Sequence, residues 1–599
     1  MEILNVLMPM FSGDKDEFGK EHVPPLPLSF DRVNAGQPPR SNAALFTLPY
    51  EILGRILVHI SSESLPALAL VNHDCLQWAR SRQFCSIQLN YSYASSNLLN
   101  KLLIEAKQRL DAGDMNSPSL GHCIRRITVA TSPSWACHRL GVDFMSEEFR
   151  NLPEDKQRER MVDASKVFLV GYISVIQIVL NIITMPHLEL LDWEDKISLP
   201  HSFFNYVAMS SIKHLKLYRV KVKEEFFIEL PEACKDQQWP LQTLHIEISP
   251  TAEKISTSPL STSILRLCAP TLRDLNMEYM NLYGEAPLTF VDQKSGPAPR
   301  FPSLRNLTVG GGILFEDASV LDALVQDNLR TLDVETESNC VTKVFFRQRG
   351  RIPALETFVW ESSHLPADHA LDFLRANAQI TKLALPHANP SMLLEVGLLA
   401  LLSKSFSNLT SLSLVWESTS ISELSLETVA SLRTLEQLHL SSGNQHGWRH
   451  DWLIDHQVMR KHLSKLCLLK KLAFSRDTYM SRSWWLPVHQ YYVDHTLLVE
   501  DMPENADDND KVWEQIHSER IQEAVRRSHG QCEMAVFWAD SHACCWVSKD
   551  WRKISRTIVS GTRQLLDITE NYVWREYFMS FNETLPELMV SFHAADYRH

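Results

Sequence analysis

One spacing, apolar-x-x-apolar-x-apolar, recurs through most of this chain and restricts its fold more than any other feature. It stands at Ile212-Leu215-Leu217, Leu241-Leu244-Ile246, Leu272-Leu275-Met277, Leu304-Leu307-Val309 and Leu329-Leu332-Val334. It continues at Leu355-Phe358-Trp360, Ile380-Leu383-Leu385, Leu409-Leu412-Leu414, Leu435-Leu438-Leu440 and Leu469-Leu472-Phe474. Looser copies precede these at Ile124-Ile127-Val129 and Leu188-Leu191-Trp193, and one comes after them at Leu585-Leu588-Val590. Any buried strand or helix can show the spacing once. Ten well-formed copies in series, their starts 25 to 34 residues apart, require a repeated structural unit.

The spacing is the leucine-rich signature, one strand and one helix or loop per repeat, with loops free to vary in length. At 599 residues the chain is too long for one compact core. A solenoid grows its core by stacking repeats and meets no such limit. The expected architecture is therefore α/β, with parallel strands on a concave face and helices on a convex one. Within each strand the leucines point inward and the residues between them outward, because side chains alternate faces.

Ahead of the repeats, residues 45–91 read LFTLPYEILGRILVHISSESLPALALVNHDCLQWARSRQFCSIQLNY. Pro49 suits the first turn of a helix, where a missing N–H costs nothing. Ile52, Leu53, Ile56, Leu57 and Ile60 then fall on one helical stripe. A Ser-Ser-Glu-Ser break separates a second short helix with Leu65, Leu68 and Val71 from a third running from Asp74 through Trp78 to Arg82. So few residues cannot close a core of their own. On Leu48-Pro49-x-Glu51-Ile52-Leu53, Leu68-Ala69-Leu70-Val71-Asn72 and Trp78-Ala79-Arg80-Ser81-Arg82-Gln83-Phe84, the stretch resembles the F-box, in particular that of fungal F-box proteins with C-terminal leucine-rich repeats. The resemblance implies a substrate-adaptor subunit of an SCF-type ubiquitin ligase, docked through this module on a Skp-type linker and through that on a cullin. It assigns linker binding to Leu48, Pro49, Ile52, Leu53, Ile56, Leu57, Leu65, Leu68, Val71 and Trp78.

The rest of the chain arranges itself around these anchors. Residues 1–44, with Pro24-Pro25, Pro27 and Pro38-Pro39 and no periodicity, read as a disordered segment. Residues 92–122 read as a linker whose helix runs from Leu98 to Ala112, and 123–599 as the solenoid. A helical insertion around 475–584 interrupts the repeat, with an acidic run from Glu500 to Asp510 and helices expected over 511–527 and 551–579. Val167 to Met185 is uncharged and close to the ~20 residues that span a bilayer. A repeat strand comes immediately after it, which favours a buried repeat helix over a membrane span.

No catalytic or cofactor motif is present: no G-x-S-x-G, P-loop, dinucleotide fingerprint or H-E-x-x-H. His529, Cys532, His542, Cys544 and Cys545, and separately His446, His450 and His456, match no zinc spacing. Eleven cysteines without a framework suit a reducing compartment. The start of the chain lacks the basic n-region of a secretory signal. A net charge of −13 argues against a nucleic-acid binder. These features describe a non-enzymatic, soluble, intracellular binding protein, in cytoplasm or nucleus, with no cofactor and no membrane partner.

Outward strand positions should carry target recognition. In the middle repeats they read Glu247, Asp274, Glu278, Asp333, Glu335 and Glu361, an acidic ladder suited to a basic target segment, flanked by Arg126, His214 and Lys216 and by Lys382 and Lys471. Exposed strand positions need polar residues in any case, so the ladder alone does not establish a site. The alternative function is an interaction scaffold not coupled to ubiquitin transfer.

Overall fold

A computed structural model describes residues 27–475 with short internal gaps, the longest being 231–238, 279–287, 291–297 and 335–344, together with 536–539 and 543–546. The chain divides into two compact units, one within Val23–Gln326 and one within Asp327–His599. Both are α/β and both are built on parallel strands. In the first unit β1 (Ser86–Leu89), β2 (Arg126–Val129), β3 (Leu190–Trp193), β4 (His214–Val222), β5 (Thr243–Pro250), β6 (Asp274–Glu278) and β7 (Asn306–Val309) pair in chain order. In the second, β8 (Thr331–Val334), β9 (Thr357–Trp360), β10 (Lys382–Asn389), β11 (Ser411–Trp416) and β12 (Gln437–Ser442) do the same. Two-residue strands β13 (Gln445–His446) and β14 (Arg449–His450) pair with each other, and β15 (Lys471–Ser475) rejoins the sheet beside β12. An antiparallel hairpin of β16 (Val536–Ala539) and β17 (Ala543–Trp546) then pairs β17 with β15. Parallel strands that pair in chain order need a crossover connection between each strand and the next.

The spacing read from the sequence becomes strand register directly. Leu191, Leu215, Leu244, Leu275 and Leu307 occupy one level across β3 to β7, and Phe358, Leu383, Leu412, Leu438 and Leu472 one level across β9 to β15. The residue before each strand locks that register. The Arg125 carbonyl accepts from the N–H groups of Glu189 and Leu190, that of Glu189 from Lys213 and His214, and that of Lys213 from Gln242 and Thr243. Gln242, Arg273, Arg330, Glu356, Thr381 and Thr410 repeat the arrangement. One carbonyl thus takes two donors at each step, so neighbouring strands cannot slip.

Four expectations need correction. Residues 86–89, placed in the helical module from sequence, form β1, the first strand of the sheet. The segment expected to be disordered up to residue 44 is structured from residue 27. Phe30–Val33 is a helical turn, and Leu28, Phe30 and Val33 are buried against the module. The connecting helix begins earlier than expected, spanning Tyr93–Ala112, because Ser92 caps it by accepting from the Ser95 N–H. The uncharged run does not make a helix of its own. It completes a continuous one, Glu154–Val179, that starts in the charged residues and passes through a π-helical turn at Leu169–Ile173.

That helix ends at Leu180, where Asn181 accepts from the N–H groups of Ile183 and Thr184. Met161, Ala164, Phe168, Tyr172, Ile176 and Val179 are buried, whereas Val162, Val167, Val170 and Ile178 are exposed. It is packed on one side rather than enclosed. Among the described residues it is the one helix long and apolar enough to cross a membrane. The helices expected over 511–527 and 551–579, the acidic run, and the copy at Leu585 lie outside the described residues.

Candidate functional site

The module around residues 45–85 holds three helices, Tyr50–His59, Leu65–Ala69 and His73–Gln83. Pro49 caps the first at φ −54°, and its carbonyl receives the N–H groups of Ile52 and Leu53. Leu53 and Leu57, one turn apart, face inward and are fully buried. The helix stops at Ile60, and Arg82 of the third helix donates to the carbonyls of Leu57 and Ile60. A cation at a helix C-terminus also complements its dipole. Asn72 starts the third helix, its Oδ1 accepting from the Cys75 N–H at 2.8 Å.

The core of the module is completed by residues outside the F-box-like stretch. Phe30 and Phe46 lie 5.1 Å apart between ring centroids, and Phe46 meets Trp78 edge-on at 6.0 Å. Cys123, just ahead of β2, is buried in the same cluster. Gln77 is buried and donates to the carbonyls of Val33 at 2.7 Å and Ser119 at 2.9 Å, joining three chain segments. Gly121 permits the closest approach at this junction: a Cβ there would collide with the Thr184 carbonyl oxygen. The helical module is therefore mounted on the first strands and does not swing from a linker.

This mounting divides the ten residues assigned to linker binding. Leu53, Leu57, Leu65 and Trp78 are the module's own core, and Ile56 and Leu68 are half-buried against it. For those six the expectation of a free surface does not hold, because the preceding segment fills the space beside them. Leu48, Pro49, Ile52 and Val71 remain exposed. Leu70 and Tyr50, not assigned to linker binding from sequence, join them, Leu70 with 87% of its surface exposed and Val71 with 66%. Leu70 stands in the F-box-like block 68–72 but off the apolar stripe that carries the linker assignment. A stripe of i, i+3, i+4 positions describes a buried face and is silent on residues past the helix end.

The strand faces are less uniform than expected. Glu247 and Asp333 are 4% exposed and engaged by neighbouring groups, so the acidic ladder is not a continuous open stripe. Asp274 is half-buried, accepting from the Thr243 hydroxyl at 3.2 Å and from the Asn306 amide. Glu278 lies on β6, while Glu335 and Glu361 fall outside the described residues. Charged groups concentrate instead near β2 and β3. Arg126 and Asp192 form a buried ion pair, and Asp195 accepts from both the N–H and the hydroxyl of Thr131 at 2.7 Å. Burial pushes the Asp195 carboxyl up to about 6 against those hydrogen bonds. Burial, with Asp192 and Asp195 nearby, pushes Glu194 up to about 7. Lys216 and Arg126 pull Glu194 the other way.

In the second unit, His439 is fully buried beside the Ser413 hydroxyl, 2.7 Å away, and its imidazole is driven down to about 3. Among the described residues no three His, Cys, Asp or Glu side chains gather so as to hold a metal ion. His446 and His450 stand on the β13–β14 pair, and Cys544 and Cys545 on β17. Compared with protein-family models and with curated proteins, the chain matches none.

Proposed function

We propose that this chain is a substrate receptor of a cullin-based ubiquitin ligase, its helical module an F-box docked on a Skp-type linker and its strands a leucine-rich-repeat solenoid that holds the target. One observation carries the reading. Leu48, Ile52, Leu70 and Val71 stay exposed on a module whose interior is otherwise filled and whose mounting is rigid. Fully burying an exposed Leu, Ile or Val contributes roughly 1.5–3 kcal/mol, so covering Leu70, Val71 and the exposed parts of Leu48 and Ile52 would supply part of the free energy that holds a partner subunit.

The mechanism is positional and needs no catalytic group. The linker fixes the module relative to the ligase, and Gln77, Gly121 and the Phe46–Trp78 packing transmit that position to the sheet. A bound target then has its lysines at high effective concentration near the conjugating enzyme. The reading places the protein in cytoplasm or nucleus.

The test is co-purification with a Skp-type subunit. Ile52→Asp and Leu70→Asp should each abolish it while leaving thermal unfolding unchanged, because both side chains point away from the core. Retention of the linker by both variants would refute the reading. Retention of the linker without ubiquitin transfer to any bound target would favour a scaffold outside ubiquitin transfer.

A further inference from the structure

The residues that enter each strand form a row of their own, one rung per repeat, and most charged rungs are neutralised by a neighbour. Arg125 donates to Glu189 through Nε at 2.9 Å, and the Lys213 ammonium reaches the other oxygen of Glu189 at 3.2 Å. In the second unit Arg330 stands 3.8 Å from Glu356. The alternation fails at one place. Arg273 and Arg305 occupy adjacent rungs, the Arg305 N–H donating to the Arg273 carbonyl at 2.7 Å, and both side chains are exposed. Among the described residues neither guanidinium makes an ion pair.

The nearest carboxylate on these strands, Asp274, is taken up by Thr243 and Asn306. Like charges on directly neighbouring strands repel, so this pairing weakens the sheet locally. The backbone beneath cannot move to relieve it, since Leu272, Leu275, Leu304 and Leu307 are all buried within 2%. Their backbones stand one strand spacing apart, about 4.8 Å, so two planar forks emerge side by side and each can take a carboxylate bidentately.

We propose that Arg273 and Arg305 form a docking subsite for an acidic segment of a partner protein, its carboxylates accepting bidentate hydrogen bonds from the two guanidinium groups. The charge of the whole chain, −13, disfavours a nucleic acid, whose phosphates would meet general repulsion. A short acidic segment brings its charge only to the rung where the chain is locally positive. The subsite stands on its own geometry and does not depend on the ligase reading. It also differs from the basic target expected from sequence: among the described residues Glu247, Asp274 and Asp333 are engaged by neighbours where the two arginines make no ion pair.

The experiment uses the full-length protein and a fluorescein-labelled peptide of alternating Glu and Gly, followed by anisotropy at physiological salt. Binding by the native protein should fall about tenfold or more in the Arg273→Gln/Arg305→Gln variant. The same peptide with Gln in place of Glu should not bind. A Lys107→Gln/Lys404→Gln variant removes the same charge from exposed sites elsewhere and should bind as the native protein does. Arg273→Lys/Arg305→Lys keeps the charge but loses the fork, and should recover only part of the affinity. The inference is overturned if the native protein does not bind the peptide. It is equally overturned if the Lys107/Lys404 control loses as much, or if a single-stranded oligonucleotide binds more tightly than the peptide and depends on the same arginines.

Discussion

The helical module and the strands draw on the same apolar residues and dispose of them differently. Leu215, Leu307 and Leu412 on the strands are completely buried, while Ile52 and Val71 on the module are 42% and 66% exposed. A strand leucine has the next repeat to cover it, and that repeat the one after. The module has no successor of its own kind. Its neighbours, Phe30, Phe46 and Cys123, cover one side only. Apolar periodicity therefore marks a core where repeats continue and leaves an exposed apolar face where they stop.

The comparison is broken most directly by truncating one leucine of the strands and one isoleucine of the module. Leu215→Ala should destabilise by ~2–5 kcal/mol, the cost of a cavity whose walls are fixed by the strand ladder. Ile52→Ala should shift stability by no more than ~0.5 kcal/mol, as an exposed position does. Chemical denaturation of the purified variants reads both. Similar losses at the two sites would mean that the module face is already covered.

Next in size is the carboxyl cluster beside β3, which separates burial of charge from burial of apolar surface. Glu194 is raised in the folded state to about 7 from an ordinary value of 4.5. A raised acid stabilises the fold while it stays protonated, and that contribution is lost as pH climbs from 4.5 through about 7. Glu194→Gln is uncharged at every pH. Its thermal midpoint should exceed that of the native protein at about pH 8, and the two should converge near about pH 5. A constant offset across that range would mean that Glu194 ionises freely in the fold.

Gly121→Ala should come next, at roughly 1–3 kcal/mol for an overpacked site, since its Cβ would meet the Thr184 carbonyl and the backbone there cannot rotate away. The strain falls on the junction between module and sheet. Hydrogen exchange should quicken in His73–Gln83 and around Thr184 while strands β4 to β7 keep their protection. Exchange that rises uniformly would show the two regions to be one cooperative block.

The legibility of each feature in the sequence depends on the range of the interaction behind it. Strand register is readable because a local spacing sets it and the next repeat copies it. The helices of the module are readable for the same reason, from Leu53 and Leu57 one turn apart. The division of their apolar residues is not, because it depends on Phe30 and Phe46, in or beside a segment without periodicity, and on Cys123, distant in sequence. The acidic ladder fails similarly. Alternation tells which way Glu247 points, whereas its burial is a property of the assembled fold. Arg273 and Arg305 are visible at a fixed offset before their strands, but their isolation emerges only once the fold assigns Glu189 to both Arg125 and Lys213.

The smallest effect concerns the turn that presents Leu70 and Val71. Asn72 comes directly after them, and its side chain replaces the missing partner of the Cys75 N–H at the start of the third helix. Asn72→Ala removes that cap at a cost of ~1 kcal/mol. The module core does not involve Asn72, so the loss should stay local, loosening the segment from Leu70 to Cys75 rather than the fold. If Leu70 and Val71 are presented to a linker in one fixed conformation, affinity for it should drop a few-fold, with no change in the surface buried. Asn72→Asp keeps the accepting oxygen and should restore both stability and affinity. An affinity that ignores all three residues at position 72 would mean that the linker orders this turn itself, and that the module, unlike the strands, is shaped by what it binds.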